Sequence, residues 1–383
     1  MTGAHPGPEL DTLLRLVSPV DAPAQPRTAL SWAPVGSDAR ALLRHATRRA
    51  GASVAVRIAA AATGCPVVVV HPTRGSLRPG WRDRLRRRAG RGYVAYRSDP
   101  AALLGRVLAA AGGVPLSGPA VGADGAVRLR VRRGDGDGDG LLRIGVAGTP
   151  ADPSWAAEGL TALATHDRPR VPRVLGSGRC LGVVWVLEEL LPGRRPAALT
   201  PRLTDQVAAF LAALPRSGGT PPVIDDAAVV AAAAPVFADA VHRAADAVVG
   251  SAPAGRAQLR HGDLWAGNVL TDGAELTGIV DWDSWSPAGV PGADLLHLVA
   301  TERRIRSRSA LGEVWLGHPW EEQPFTDAVH RHWPEWGGDA EARRLVGVAW
   351  WLGQLAADLR RNPALANDDR WVARNITAVA AAL

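Results

Sequence analysis

Residues 259–283 constrain this chain more than any other stretch. An apolar lead-in is followed by His261-Gly262-Asp263, then four intervening residues and Asn268. A strand at Val269-Leu270, a turn at Asp272-Gly273 and a second strand at Thr277-Gly278-Ile279-Val280 run into Asp281-Trp282-Asp283. A hairpin brings the outer ends of its strands together, so Asp263, Asn268 and Asp281 are expected to converge on one point. The surroundings are different in kind. From Leu203 onward the chain is Ala/Leu-rich with helical periodicity, giving expected helices over Asp226–Val249, over Ala340–Leu359 and from Trp371.

Converging carboxylate and amide oxygens are hard ligands that suit Mg²⁺, which takes a few protein oxygens and fills its shell from water and phosphate. Phosphoryl transfer requires this set: a carboxylate near the acceptor hydroxyl, with an Asn and an Asp holding the metal on the phosphates. Read singly, each is ordinary. Asn268 would be a turn residue and Asp263 a helix-capping aspartate.

The combination resembles a known family. His261-x-Asp263-x-x-x-x-Asn268 is similar to the catalytic loop of aminoglycoside phosphotransferases and of the related choline and fructosamine kinases. Ile279-Val280-Asp281-Trp282 resembles that family's second motif, and Gly292-Ala293-Asp294-Leu295-Leu296 its structural acidic residue beside a helix start. The resemblance covers roughly 114–383. It implies that Asp263 orients the acceptor hydroxyl, that His261 holds the loop, and that Asn268 and Asp281 bind Mg²⁺. Asp283 would reach a second metal or the acceptor. The implied fold is α+β and protein-kinase-like in two lobes, an antiparallel β-sheet lobe with one helix and then a mainly α-helical lobe. The implied activity is transfer of the γ-phosphoryl group of ATP or GTP to a hydroxyl of a small metabolite or aminoglycoside-like antibiotic.

The region upstream fits such a first lobe. Ala126–Arg132 alternates apolar and arginine residues, so one strand face is apolar. The tract Gly134–Gly140 reads as a turn into a second strand at Leu141–Val146. Its aspartate spacing copies the start of a calcium loop, but Val146 stands where the bidentate Glu is needed. Asp152-Pro153 starts a helix running to about His166, and two further strands are expected around Arg173–Leu175 and Leu181–Leu187, joined through Gly176–Gly178. By the resemblance, Arg143 is the strand cation for the nucleotide phosphates and Glu158 its helix partner. Glu189 and Leu190 are the hinge that hydrogen-bonds a purine, in a stretch 188–193 that reads as a linker. The glycine-rich Gly118–Gly125 has the position of a phosphate cover without its spacing.

Composition bounds the remainder. At 383 residues more than one domain is expected, namely 1–112, 113–190 and 191–383. The first reads as a small α/β extension, with strands at 66–70 and 92–96 and a helix at Ala101–Ala111. All 44 basic residues are arginine; residues 1–195 carry net +13 and residues 196–383 net −6. The run Trp81–Arg88 reads as a solvated helix face, with an anionic partner as the alternative. The basic half carries no nucleic-acid-binding module, and no segment approaches the roughly eighteen apolar residues of a membrane span. With no signal-peptide pattern and only Cys65 and Cys180, both read as core filler, the expected location is cytoplasmic.

The acceptor is less legible. Glu321, Glu322, Asp327, Glu335 and Asp339 would suit a cation, and Trp315, Trp320, Trp333 and Trp336 would stack on a sugar or pack the core. Packing is the favoured reading. The rival to catalysis is a nucleotide-binding pseudokinase or scaffold, motivated by the missing lysine; the intact Asp263, Asn268 and Asp281 argue against it.

Overall fold

The computed structural model describes residues 103–116, 120–121, 126–133, 138–149, 151–164 and 171–383. The expected strands at 66–70 and 92–96, the arginine run at 81–88, Cys65, the turn at 134–137 and most of the glycine tract 118–125 lie outside the described residues. The chain divides into two compact units. One holds the described residues up to Glu158 together with Arg173–Leu190, and the other holds Gly159–Pro172 and Leu191–Leu383.

The first unit is a six-stranded antiparallel sheet. Strands β1 (Gly113–Pro115), β3 (Val127–Arg133), β4 (Asp139–Val146), β6 (Val183–Glu189) and β5 (Val174–Cys180) lie in that order, and β2 (Ala120–Val121) pairs with β3. The alternation in β3 does what its period requires. Val127, Leu129 and Val131 are buried, and the intervening arginines point away. Helix α1 (Leu103–Ala110) adds Leu104, Val107 and Leu108 to the same core, against Leu142, Ile144, Trp185 and Leu187. The helix assigned from sequence to the N-terminal extension therefore belongs to this sheet's core.

The last hairpin differs from expectation. Gly176–Gly178 lies inside β5, and the turn is Leu181-Gly182, both with positive φ. Two consecutive positive-φ residues make the primed turn whose twist matches the flanking strands. Strand β6 also runs on to Glu189, into the stretch read as a linker. Helix α2 (Ser154–Ala164) begins as expected, with Asp152 Oδ1 accepting from Ser154 N at 2.9 Å.

The second unit is mainly helical. Its helices include α3 (Pro201–Ala212), α4 (Val223–Ala233), α5 (Ala238–Val249), α6 (Ala293–Ser307), α7 (Leu311–Leu316), α8 (Phe325–His332) and α9 (Ala340–Arg361). The single helix expected over Asp226–Val249 is two, because Pro235 lacks the N–H that would continue the first. Set among these helices are two antiparallel pairs, β7 (Gln258–Arg260) with β10 (Ser286–Gly289) and β8 (Val269–Asp272) with β9 (Glu275–Ile279). Among the described residues no helix is long and apolar enough to cross a membrane.

The tryptophan question resolves as packing. Trp315, Trp320, Trp333 and Trp336 are all buried, and the indole N–H of Trp315 donates to Gly347 O at 3.0 Å. Gly347 has to lack a side chain, since a Cβ there would enter the Trp320 ring. The acidic stretch is engaged locally too: Glu322 pairs with Arg303 at 2.7 Å, Glu335 with Arg216 and Arg256, and Asp339 caps α9.

Candidate active site

The site in the second unit is built from one buried carboxylate outward. Asp294 stands in the first turn of α6, whose unpaired N-terminal amides favour negative charge. Its two oxygens accept the backbone N–H of His261 at 2.6 Å and of Gly262 at 2.9 Å, clamping the start of the loop. Gly262 adopts φ +85°, and a Cβ there would meet the Ser284 carbonyl, so the tight passage needs glycine. Alanine at 294 leaves the buried His261 N–H unpaired, at roughly 1–3 kcal/mol, and the part-buried Gly262 N–H unpaired at about 1 kcal/mol. Asp294→Ala is therefore expected to lose about 2–4 kcal/mol of stability in urea unfolding followed by circular dichroism.

His261 is completely buried and its ring is fully used. Nε2 lies 3.0 Å from Val280 O, and Nδ1 accepts the Asp263 N–H at 3.3 Å. A carbonyl can only accept and an amide N–H only donate, so the ring proton is on Nε2. Trp282 packs against this ring at 4.7 Å and donates its own N–H to Ile279 O at 3.0 Å. His261 thus ties the loop to the end of β9 and leaves no ring nitrogen for proton transfer.

Asn268 and Asp281 flank the β8–β9 hairpin. Val269 pairs with Ile279, and Val280 N donates to Asn268 O at 2.9 Å, which sets Asn268 beside the chain entering Asp281. Asn268 is buried, and its Nδ2 donates to Asp263 O at 2.9 Å. The amide oxygen is therefore the atom left to face a cation. Asp281 is exposed and left-handed at φ +69°, a conformation costly for a non-glycine residue and concentrated at functional sites. Asp283 follows, half-buried, in the short turn Trp282–Ser284.

Asp263 presents a carboxylate that is half in solvent, with Oδ1 lying 3.4 Å from His297 Nε2. Burial pushes its carboxyl up, but the contact with His297 and the electrostatic surroundings that His297, His261 and Arg361 provide outweigh that and hold it below the usual carboxylate range. His297 carries no sequence signal. It lies three residues beyond Asp294 on one helix face, which only the fold turns toward the loop.

In the first unit the expected pairing is corrected. Arg143 meets Glu188 at 3.2 Å, with side chains only 4% and 6% exposed, whereas Glu158 is exposed on α2. The register explains the exchange. Arg143 is opposite Val186 in β6, so Glu188 is its diagonal neighbour on the same sheet face. At the expected hinge the two backbone N–H groups have partners in the protein. The backbone N–H of Glu189 donates to Arg173 O at 2.8 Å and that of Leu190 to Asp139 O at 3.2 Å, so these two N–H groups are used within the sheet. The ladder simply continues through these residues, and the Glu189 carboxylate pairs with Arg173 at 3.0 Å.

The family model described as the phosphotransferase enzyme family, APH, matches residues 121–325, more than half of the chain. The chain belongs to this phosphotransferase family. The match contains Asp263, Asn268, Asp281 and Asp294. Similar solved structures include aminoglycoside phosphotransferase APH(3'')-Id from Streptomyces rimosus, 20% identical over 67% of this chain and 98% of that one, with TM-score 0.43. A thermostable mutant of aminoglycoside phosphotransferase APH(4)-Ia, in a ternary complex with ADP and hygromycin B, is 17% identical over 72% of this chain and 97% of that one, with TM-score 0.45. The choline kinase LicA from Streptococcus pneumoniae is 13% identical over 73% and 97%, with TM-score 0.43. No curated protein sequence matches the chain. Family membership agrees with the α+β make-up observed here, an antiparallel sheet with its helix and then a mainly helical unit.

Proposed function

We propose that this family member transfers the γ-phosphoryl group of ATP or GTP to a hydroxyl of a small metabolite or aminoglycoside-like antibiotic, with Asp263 orienting the acceptor. The observation that carries this reading is the clamped loop. Asp294 and His261 fix the backbone leading into Asp263, Asn268 holds its carbonyl, and its carboxylate, kept below the usual carboxylate range, is half-open to solvent. In this reading the acceptor oxygen attacks the γ-phosphorus, the bond to the bridging oxygen breaks, and the hydroxyl proton passes to Asp263 late in the step.

A divalent cation fits the second unit's donors. Asn268 and Asp281 offer two hard oxygens at the hairpin end. That is the open arrangement Mg²⁺ uses when phosphates and waters complete its shell, where it would neutralise the phosphates. Asn268 and Asp281 would hold it, and Asp283 is a candidate for the acceptor or a second ion. In the first unit Arg143, fixed by Glu188, is the candidate cation for the nucleotide. We assign residues 113–190 to nucleotide binding and 191–383 to catalysis and the acceptor.

The test is a screen of Mg-ATP and Mg-GTP against aminoglycosides, amino alcohols, sugars and nucleosides, reading nucleoside diphosphate release. A hydroxyl acceptor that stimulates release supports the proposal. Asp281→Ala is expected to abolish the Mg²⁺-dependent release, with Asp283→Asn losing less. Acceptor-independent behaviour throughout, with tight nucleotide binding, would instead favour the pseudokinase reading.

A further inference from the structure

The Asp263 carboxylate is backed by a histidine outside the loop motif. Asp294 and His297 are three residues apart, so they share one face of α6. Asp294 takes the loop's backbone N–H groups, and His297 puts Nε2 3.4 Å from Asp263 Oδ1. The same turn of helix thus holds both the backbone and the side chain of the loop.

The tautomer of His297 is set from behind. Its ring is buried, and Nδ1 receives the indole N–H of Trp350, from the middle of α9, at 3.1 Å. Indole nitrogen can only donate, so Nδ1 must be the acceptor and the ring proton belongs on Nε2. Thr301 Oγ1, one helical turn on and 3.4 Å from the same Nδ1, can donate there as well. The N–H that results faces Asp263. An N–H at this oxygen stabilises the ionised carboxylate, and it restricts rotation of a side chain that is otherwise half in solvent.

We propose that His297 is a positioning residue for phosphoryl transfer, its Nε2–H holding Asp263 Oδ1 so that Oδ2 is presented to the acceptor hydroxyl, with Trp350 fixing the required tautomer. This rests on the reading of Asp263 as the acceptor-orienting group. A contact of 3.4 Å is long for a hydrogen bond, and such contacts tighten when substrate is bound.

The experiment uses the full chain with Mg-ATP and the best hydroxyl acceptor of the screen. His297→Leu is expected to lower kcat roughly 10–100-fold with both KM values unchanged, the scale of a misplaced reacting group. His297→Gln, which returns an N–H near the Nε2 position, is expected to recover most of that loss, and Trp350→Phe to fall between. Long-range ¹H–¹⁵N spectra of ¹⁵N-histidine protein should show His297 with its proton on Nε2, and Trp350→Phe should mix the two tautomers. A wild-type-like kcat in His297→Leu, no rescue by glutamine, or a proton on Nδ1 overturns the proposal. If the wild-type chain transfers phosphate to no acceptor, the functional reading falls and the proposal with it. If it transfers normally and His297→Leu matches it, the proposal alone falls.

Discussion

Replacing Asp263 by asparagine is expected to lower kcat about 10²–10⁴-fold, the range that a positioned acid–base group contributes, while leaving the loop's backbone hydrogen bonds in place. The loop uses the backbone of Asp263 for its own geometry: the N–H goes to His261 Nδ1 at 3.3 Å, and the carbonyl receives Asn268 Nδ2 at 2.9 Å. Asparagine keeps both and removes only the carboxylate charge. The pH profile carries a second expectation. Because the folded-state pKa of Asp263 lies below the ordinary carboxylate range, the group stays ionised as pH falls through that range. Activity loss from protonating Asp263 should therefore begin only below it. A profile falling between pH 5 and 7 in wild type but not in Asp263→Asn would contradict the account.

The largest stability effect is expected at the buried Arg143–Glu188 pair. Truncating one partner of a buried ion pair takes away a main compensation of the other charge in a poorly solvating interior, which costs up to about 3–5 kcal/mol. Glu188→Ala should lose stability on that scale in chemical unfolding. The double variant Arg143→Met, Glu188→Leu removes both charges at similar volume and should recover most of it. The pair of experiments separates fold from function. If Arg143 also serves the nucleotide phosphates, the refolded double variant keeps its structure but shows a raised KM for Mg-ATP. If nucleotide affinity is unchanged, Arg143 is a structural residue only.

The sequence made the hairpin legible because its chemistry is local. Asp263, Asn268 and Asp281 lie within nineteen residues, and a two-strand turn is enough to bring the last two together. The alternating β3 strand was legible for the same reason. What escaped depended on long-range register. Glu188 replaces Glu158 as the partner of Arg143 because β4 and β6 align Arg143 with Val186, a fact held in two strands more than forty residues apart. The hinge N–H groups are occupied because β6 extends to Glu189, two residues beyond its expected end. His297 and Trp350 meet through a contact between α6 and α9, fifty-three residues apart, and neither helix announces it locally. The tryptophans of 315–336 could be weighed but not decided until their burial was seen.

One measurement bears most directly on the central claim: ³¹P NMR of the product formed from Mg-ATP and the hydroxyl acceptor that most stimulates nucleotide turnover. Wild-type protein should yield ADP and a phosphomonoester on the acceptor's hydroxyl, and Asp263→Asn, still binding nucleotide, should yield neither at a comparable rate. A product carrying the nucleotide itself, or equal phosphomonoester formation by Asp263→Asn, would contradict the assignment of this loop to phosphoryl transfer.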